Sequence, residues 1–511
     1  MKIKLKIPPG IDADDTSFAA TGRWKDGNNV RFWRGNWQVI GGWELFNEDA
    51  VGGICRKAFP WTDVAGLINV GFGTNTQLHV TRGGQMYDIT PIDFIPGAVN
   101  GAGGQGYGTG TWSTGYYSEP STASYFPLTW SLSAFGQIMI ANPRGQGIFQ
   151  WENNTAVLAQ LIASAPEVVS YTLVTPQRQV MALGCNEELS GDFNPLCIRW
   201  SDIEDQTDWT TSPANNAGEY ILTGGGRLVG GVVVGQYEMI WTDMSVYLAT
   251  FVGQPGQTYS FEKQGDSCGL IGPNAMAVIQ GVAYWVSPDL QFWRMAPGGV
   301  PQIIPCPIRD QFLNYLAFSQ GDKIVASSNS TFGEIRWDYP DSRDDMGNPD
   351  TPGVENSRYL AVSTLDGSWY KGQMVRTAFV DAGPTPNPIG VDYLGAIYYQ
   401  ERGHSANGSP LTWSLESADQ YLGQGAPMLQ IQGMYPDFQD QQGPVNMTVT
   451  TRLYPQAKDY VHGPWALNPM RNQRTFQASG RVARVKFYGS SSPAYARGGA
   501  PVFEAIPTGM Q

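Results

Sequence analysis

The chain has 511 residues, 41% of them hydrophobic, which is ample for a core and exceeds the usual size of one domain. Its 32 lysines and arginines stand against 45 carboxylates, a formal charge of −13, which argues against nucleic-acid binding by phosphate neutralisation. The 62 glycines and 35 prolines disfavour long helices, while 12% aromatic and only 15% charged residues favour many short strands with aromatic contact surfaces.

The opening residues alternate: Lys2, Lys4 and Lys6 point one way, Ile3, Leu5 and Ile7 the other, predicting a half-exposed strand that Pro8-Pro9-Gly10 ends. This start is too polar for a signal peptide. No apolar run approaches the roughly 18 residues of a membrane span, and synthesis in the cytosol is expected. Asp26-Gly27 reads as a hairpin turn between two short strands, and a second turn leads to Gly41-Gly42-Trp43.

From about residue 51 to 400 a loose motif recurs, an apolar strand followed by a strand carrying a large aromatic. Its copies start at Leu67, Gln137, Gln179, Tyr237, Val282, Gly333 and Ala396. The irregular spacing is near that of a four-stranded propeller blade, in which bulky aromatics fill the wedges and ring closure protects strand edges. The expected fold is mainly β: an irregular β-propeller of about six blades, with two stacked β-sandwiches as the alternative. A short connector helix is predicted after Pro307, with Ile308, Phe312, Tyr315 and Leu316 near one face. After residue 404 the strands lengthen: Val445, Met447, Val449, Thr451 and Leu453 share one face, Ala483, Val485 and Phe487 another. The expected organisation is therefore 1–50 as an N-terminal β segment of a platform, 51–404 as the propeller, and 405–511 as a C-terminal β-domain completing the platform. Segments 1–50 and 405–511 each carry too few strands to stand alone.

Candidate chemistry is sparse. Gly101, Gly103 and Gly106 match GxGxxG, but without the preceding strand and following helix that a dinucleotide site needs. The three histidines, His79, His404 and His462, are far apart in sequence, and the five cysteines lack metal-site spacing and read as reduced thiols. Ser287–Trp293 and Asp366–Trp369 loosely resemble the Asp-box turns of propeller glycosidases, but no carboxylate pair for glycoside hydrolysis stands out. Asp338, Asp341, Asp344, Asp345 and Asp350 lack the alternation of a calcium loop and read as a solvated acidic loop. No catalytic, cofactor-binding or metal-binding residue is assigned. The long segment 98–126, without a core pattern, is expected to project into a channel or toward a neighbouring subunit.

Several segments together resemble the tail nozzle, or tail hub, proteins of short-tailed bacteriophages. They are Pro9-Gly10-Ile11, then Gly22-Arg23-Trp24-Lys25-Asp26-Gly27-Asn28-Asn29-Val30-Arg31-Phe32 to Gly41-Gly42-Trp43, and Gly106–Gly110 leading to Leu128–Leu132. Phe332–Pro340 is similar to the family's aromatic strand, with Arg336 and Asp338 replacing more apolar or aromatic residues, and Ser479-Gly480-Arg481 and Gly509-Met510-Gln511 resemble its closing strands. The resemblance implies a structural virion protein rather than an enzyme, made in the host cytoplasm and needing no cofactor. It would form a ring, a homohexamer, below the portal and adaptor and beside tail fibre, spike or needle proteins. Genomic DNA would be retained after packaging and pass through the lumen without sequence-specific binding. An acidic lumen suits that task, because bound phosphates act as brakes. The alternative expectation is a carbohydrate-binding or glycoside-hydrolysing propeller of a phage tail.

Overall fold

The computed structural model describes residues 1–101, 126–254, 257–344, 353–421, 428–469 and 473–509. Seven four-stranded antiparallel sheets follow one another along the chain. Blade 1 comprises Cys55–Thr62, Ile68–Thr74, Leu78–Arg82 and Gln85–Asp88, and blade 2 Trp130–Phe135, Ile138–Pro143, Phe149–Trp151 and Gln160–Leu161. Blade 3 runs from Val169–Val174 to Gly218–Ile221, blade 4 from Leu228–Val234 to Gln257–Asp266, and blade 5 from Met276–Ile279 to Gln302–Ile303. Blade 6 runs from Val325–Asn329 to Trp369–Gln373. Blade 7 has Ala378–Val380, Ile389–Val391 and Ile397–Gln400, and takes its outermost strand, Trp43–Leu45, from the far end of the sequence. The first strands of successive blades pack side by side, and that of blade 7 packs against that of blade 1, so the ring closes. The fold is a β-propeller of seven blades, not six, one for each copy of the aromatic motif.

Aromatic wedges hold neighbouring blades together. Trp241 meets Trp285 with ring centres 5.3 Å apart between blades 4 and 5, and Phe292 meets Trp337 at 4.8 Å between blades 5 and 6. Buried indoles also need an acceptor. Trp130 of blade 2 donates to the Thr74 carbonyl of blade 1 at 2.7 Å, stitching those two blades together.

The two ends of the chain form three further sheets. Lys2–Lys4 pairs with Val502–Gly509, Trp24–Asn28 with Trp413–Ser417, and Asn36–Val39 with Tyr495–Gly498. The platform is thus woven from both termini, while residues 43–45 cross the expected boundary at 50 to clasp the propeller. In Val445–Arg452 every second residue is buried, as the alternation requires, but Leu453 lies past the strand end and is exposed.

Asp26-Gly27 is not a turn. Both residues lie within strand Trp24–Asn28, where a β-carbon on Gly27 would meet Ile11 Cδ1 at 2.8 Å, so this glycine serves close packing. The hairpin falls at Arg34-Gly35, both with positive φ, between Val30–Trp33 and Asn36–Val39. The connector helix forms as Arg309–Tyr315 with Phe312 buried.

Trp37 is the centre of the platform core, its ring stacked on Phe487 at 5.9 Å and within 5.8 Å of Trp413. Trp37→Ala is expected to lower platform stability by about 3–5 kcal/mol, read as an earlier urea transition in platform tryptophan fluorescence.

Candidate functional site

The starting ends of the innermost strands define one face of the propeller axis, and polar side chains converge there. Arg56 is the second residue of the first strand of blade 1, Lys323 and Asn274 precede the first strands of blades 6 and 5, and Glu355 precedes the third strand of blade 6. The Arg56 guanidinium donates to both Glu355 oxygens at 2.5 and 2.8 Å, and Lys323 Nζ donates to Glu355 Oε1 at 2.9 Å. All three are buried. Burial opposes the Glu355 charge, but Arg56 and then Lys323 hold its pKa below the usual value. Burial, with Arg56 alongside, pulls Lys323 down to about 8. Lys57, bonded to Asn274 Oδ1 at 3.0 Å, is also brought to about 8 by burial.

This network holds a chain segment. Arg56 Nη2 donates to the Val99 carbonyl at 3.0 Å and Lys323 Nζ to Asn100 Oδ1 at 2.7 Å. Gly101 and the Gln320 amide exchange two hydrogen bonds at 3.0 and 3.1 Å. A few residues away Arg144 donates to Asp322 Oδ1 at 2.9 Å, and the guanidiniums of Arg144 and Arg227 each lie 4.2 Å from the Phe126 ring centre. Residues 99–101 and 126 are therefore both tied to the axial face. Residues 102–125, on which most of the expected channel segment and the remaining GxGxxG glycines fall, lie outside the described residues.

A second buried cluster joins platform to propeller. Arg31, in platform strand Val30–Trp33, faces Glu334 of blade 6 at 3.1 Å. It donates from Nη1 to Glu401 Oε2 at 2.9 Å and from Nη2 to the other Glu401 oxygen. The Gly41 backbone N–H donates to Glu401 Oε2 at 2.9 Å, and Arg31 lies 3.8 Å above the Phe332 ring. Burial lifts Glu334 to about 7 despite Arg31 beside it. The adjoining cavity is about 20 Å³, room for one water.

The other sequence candidates are dispersed or engaged. His79 sits in blade 1, His404 stacks on Tyr495 with ring centres 4.0 Å apart, and His462 lies 3.0 Å from Thr451 Oγ1 in the platform. Asp366 accepts from the backbone and hydroxyl of Ser368 at 3.0 and 2.6 Å, and Asp289 accepts from Ser287, so both Asp-box-like aspartates lock their own turns. The acidic loop is not simply solvated. Asp338 and Asp341 are buried, and Asp338, Asp341 and Asp344 pair with Arg336, Arg343 and Arg358 respectively; Asp345 and Asp350 lie outside the described residues. Among the described residues no group of three His, Cys, Asp or Glu side chains is placed to share a metal ion. Sequence reasoning passed over Glu334, Glu355 and Glu401. The readable signal was a lone carboxylate inside an apolar run, as in Phe332–Trp337, where only pairing or protonation makes burial tolerable.

These arrangements fix backbone and join domains, and the class of protein they define is a seven-bladed propeller with a terminal platform. No protein-family model matches the sequence, and no curated protein matches it. Solved structures to which it is similar include YCF48 bound to D1 peptide, at 10% identity over 70% of this chain and 97% of that one, TM-score 0.37. A computationally designed protein, Ika8, is 10% identical over 70% of this chain and 100% of its own, TM-score 0.34. BamB from Moraxella catarrhalis is 11% identical over 54% of this chain and 84% of its own, TM-score 0.29. At these scores the propeller assignment stands on the blades themselves.

Proposed function

We propose that this chain is a structural subunit of a short bacteriophage tail, forming a ring-shaped nozzle that retains packaged DNA and conducts it during ejection. The observation that carries this reading is where the resembling segments lie. Gly22–Phe32 and Gly41–Trp43 supply platform strands, the Arg31 and Gly41 contacts and the strand that clasps blade 7, while Phe332–Pro340 supplies Glu334. The motifs thus meet where platform and propeller are joined, which supports a rigid two-part subunit suited to ring assembly. The acidic balance supports a lumen that repels DNA rather than gripping it. The nozzle would sit below the portal and adaptor, with fibre, spike or needle proteins as neighbours.

Native mass spectrometry of the purified chain, with copy counting in tail particles, tests this. A hexameric ring is the expected result. A stable monomer that binds or cleaves oligosaccharides would overturn it.

A further inference from the structure

The formal charge is divided unevenly along the chain. Residues 51–404 hold 17 lysines and arginines against 32 carboxylates, whereas residues 1–50 hold 7 against 7 and residues 405–511 hold 8 against 6. The acidity belongs to the propeller, and two exposed apolar patches, one in each part, sit in surroundings of different charge.

The first patch is the rim of blade 3. Leu189 is 99% exposed, and Phe193, Tyr220 and Ile221 of the same blade are exposed as well, the Tyr220 ring stacking on Phe261 of blade 4 at 4.7 Å. Tyr220 and Ile221 lie on the blade's outermost strand, whose outer edge has no neighbour among the described strands. Between Arg178 and Arg227 the sequence has eight carboxylates and one cation, Arg199, which is buried. The rim is ordered by its own hydrogen bonds: Glu219 Oε2 accepts from the Glu188 N–H at 2.6 Å, and the Glu188 carboxylate accepts from Thr211 N–H at 2.8 Å.

The second patch is the platform hairpin joining Val445–Arg452 to Tyr460–Leu467. Leu453, Tyr454 and Tyr460 are exposed, with Val461 at 66%. They border a cleft of about 370 Å³ whose lining includes Met428, Leu453, Tyr460 and Ala478. The sequence from 452 to 486 holds seven cations and one carboxylate, but Arg452, Arg484 and Lys486 pair with Asp459, Asp419 and Glu416, so the exposed Lys458 supplies the positive charge of the hairpin itself.

An apolar patch in an anionic frame and an aromatic knob carrying Lys458 are complementary. Both stay exposed on the isolated chain, so neither covers the other. Two different complementary surfaces on one chain define a head-to-tail contact, which closes into a ring when the rotation permits. We infer that the 453–461 hairpin of one copy docks on the blade 3 rim of the next. This inference rests on the ring reading and specifies the contact that would build the ring.

The test uses full-length chains carrying substitutions at exposed positions. Leu189→Asp spoils the rim, and Tyr460→Ser with Val461→Ser spoils the hairpin. Each variant alone is expected to lose the oligomer while keeping the wild-type melting temperature. Mixed, they are expected to form a dimer of one chain of each kind, because each retains one good face. A Leu189→Lys variant that is also monomeric supports the same rim. Variants that assemble like wild type, or a mixture that stays monomeric, overturn the inference while leaving the ring reading standing. A wild-type chain monomeric both in solution and in particles overturns both.

Discussion

Glu355→Ala is expected to destabilise the propeller by about 3–5 kcal/mol, the usual consequence of removing one partner from a buried ionic group. Glu355 is the only carboxylate in hydrogen-bond contact with Arg56 or Lys323 among the contacts described, and its loss leaves two cations facing each other in the interior. Lys323 has an outlet, because its pKa of about 8 allows deprotonation at modest cost, whereas Arg56 has none. The variant should therefore be less impaired at pH 9 than at pH 6. The same contacts anchor Val99 and Asn100, so backbone amide exchange in residues 97–101 should quicken along with the global loss. Replacing all three charged residues by methionine should recover much of the melting temperature but not that local protection. Guanidinium unfolding at the two pH values, together with hydrogen exchange, reads both effects. An unchanged midpoint for Glu355→Ala would show that the axial network does not support the fold.

The second large effect is a pH dependence centred on blade 4. Glu238 is fully buried in strand Tyr237–Thr242, and neither carboxyl oxygen meets a hydrogen-bond partner among the described residues. Burial lifts its pKa from 4.5 to about 8. The folded chain therefore keeps a proton that the unfolded chain releases across that interval. The Glu238 contribution to stability falls as pH rises from about 4.5 and levels off above about 8, with a total on the order of 3–5 kcal/mol, while Lys57 and Lys323, both brought to about 8, contribute with the opposite sign above that pH. Glu238→Gln should be more stable than wild type at pH 9 and close to it at pH 5. Glu334 contributes a slope of the same sign that ends near pH 7, so the variant should keep a residual dependence confined to lower pH. Denaturant midpoints from pH 5 to 9 separate the two. A Glu238→Gln variant whose pH dependence between 5 and 9 matches wild type would mean that Glu238 ionises freely.

Much of this architecture is legible in the sequence. The alternation of Val445, Met447 and Val449 marked a strand face, because a period of two puts successive side chains on opposite sides of a sheet. The seven copies of the aromatic motif each became a blade, although uneven insertions suggested about six. Asp26-Gly27 was misread because the dipeptide suits both a tight turn and a close-packed strand. Only the neighbouring Ile11 side chain, distant along the fold's surface pattern but adjacent in space, decides between them. The acidic loop was misread for a related reason: Arg336, Arg343 and Arg358 were visible in the sequence, but ion pairing depends on which strands become neighbours.

By itself, the sequence determined the all-β class, the repeated small sheets and the acidic balance, since composition and short-range periodicity act through local geometry. Tertiary structure alone decided the blade count, the clasp of Trp43–Leu45 on blade 7, the weaving of both termini into one platform and the partners of Arg31 and Glu355. The clasp, the platform and the Arg31–Glu334 and Arg56–Glu355 pairs join residues hundreds of positions apart. The local signal at either end is a short strand or a lone charge, and the partner is set by ring closure and by the need to satisfy buried polar groups.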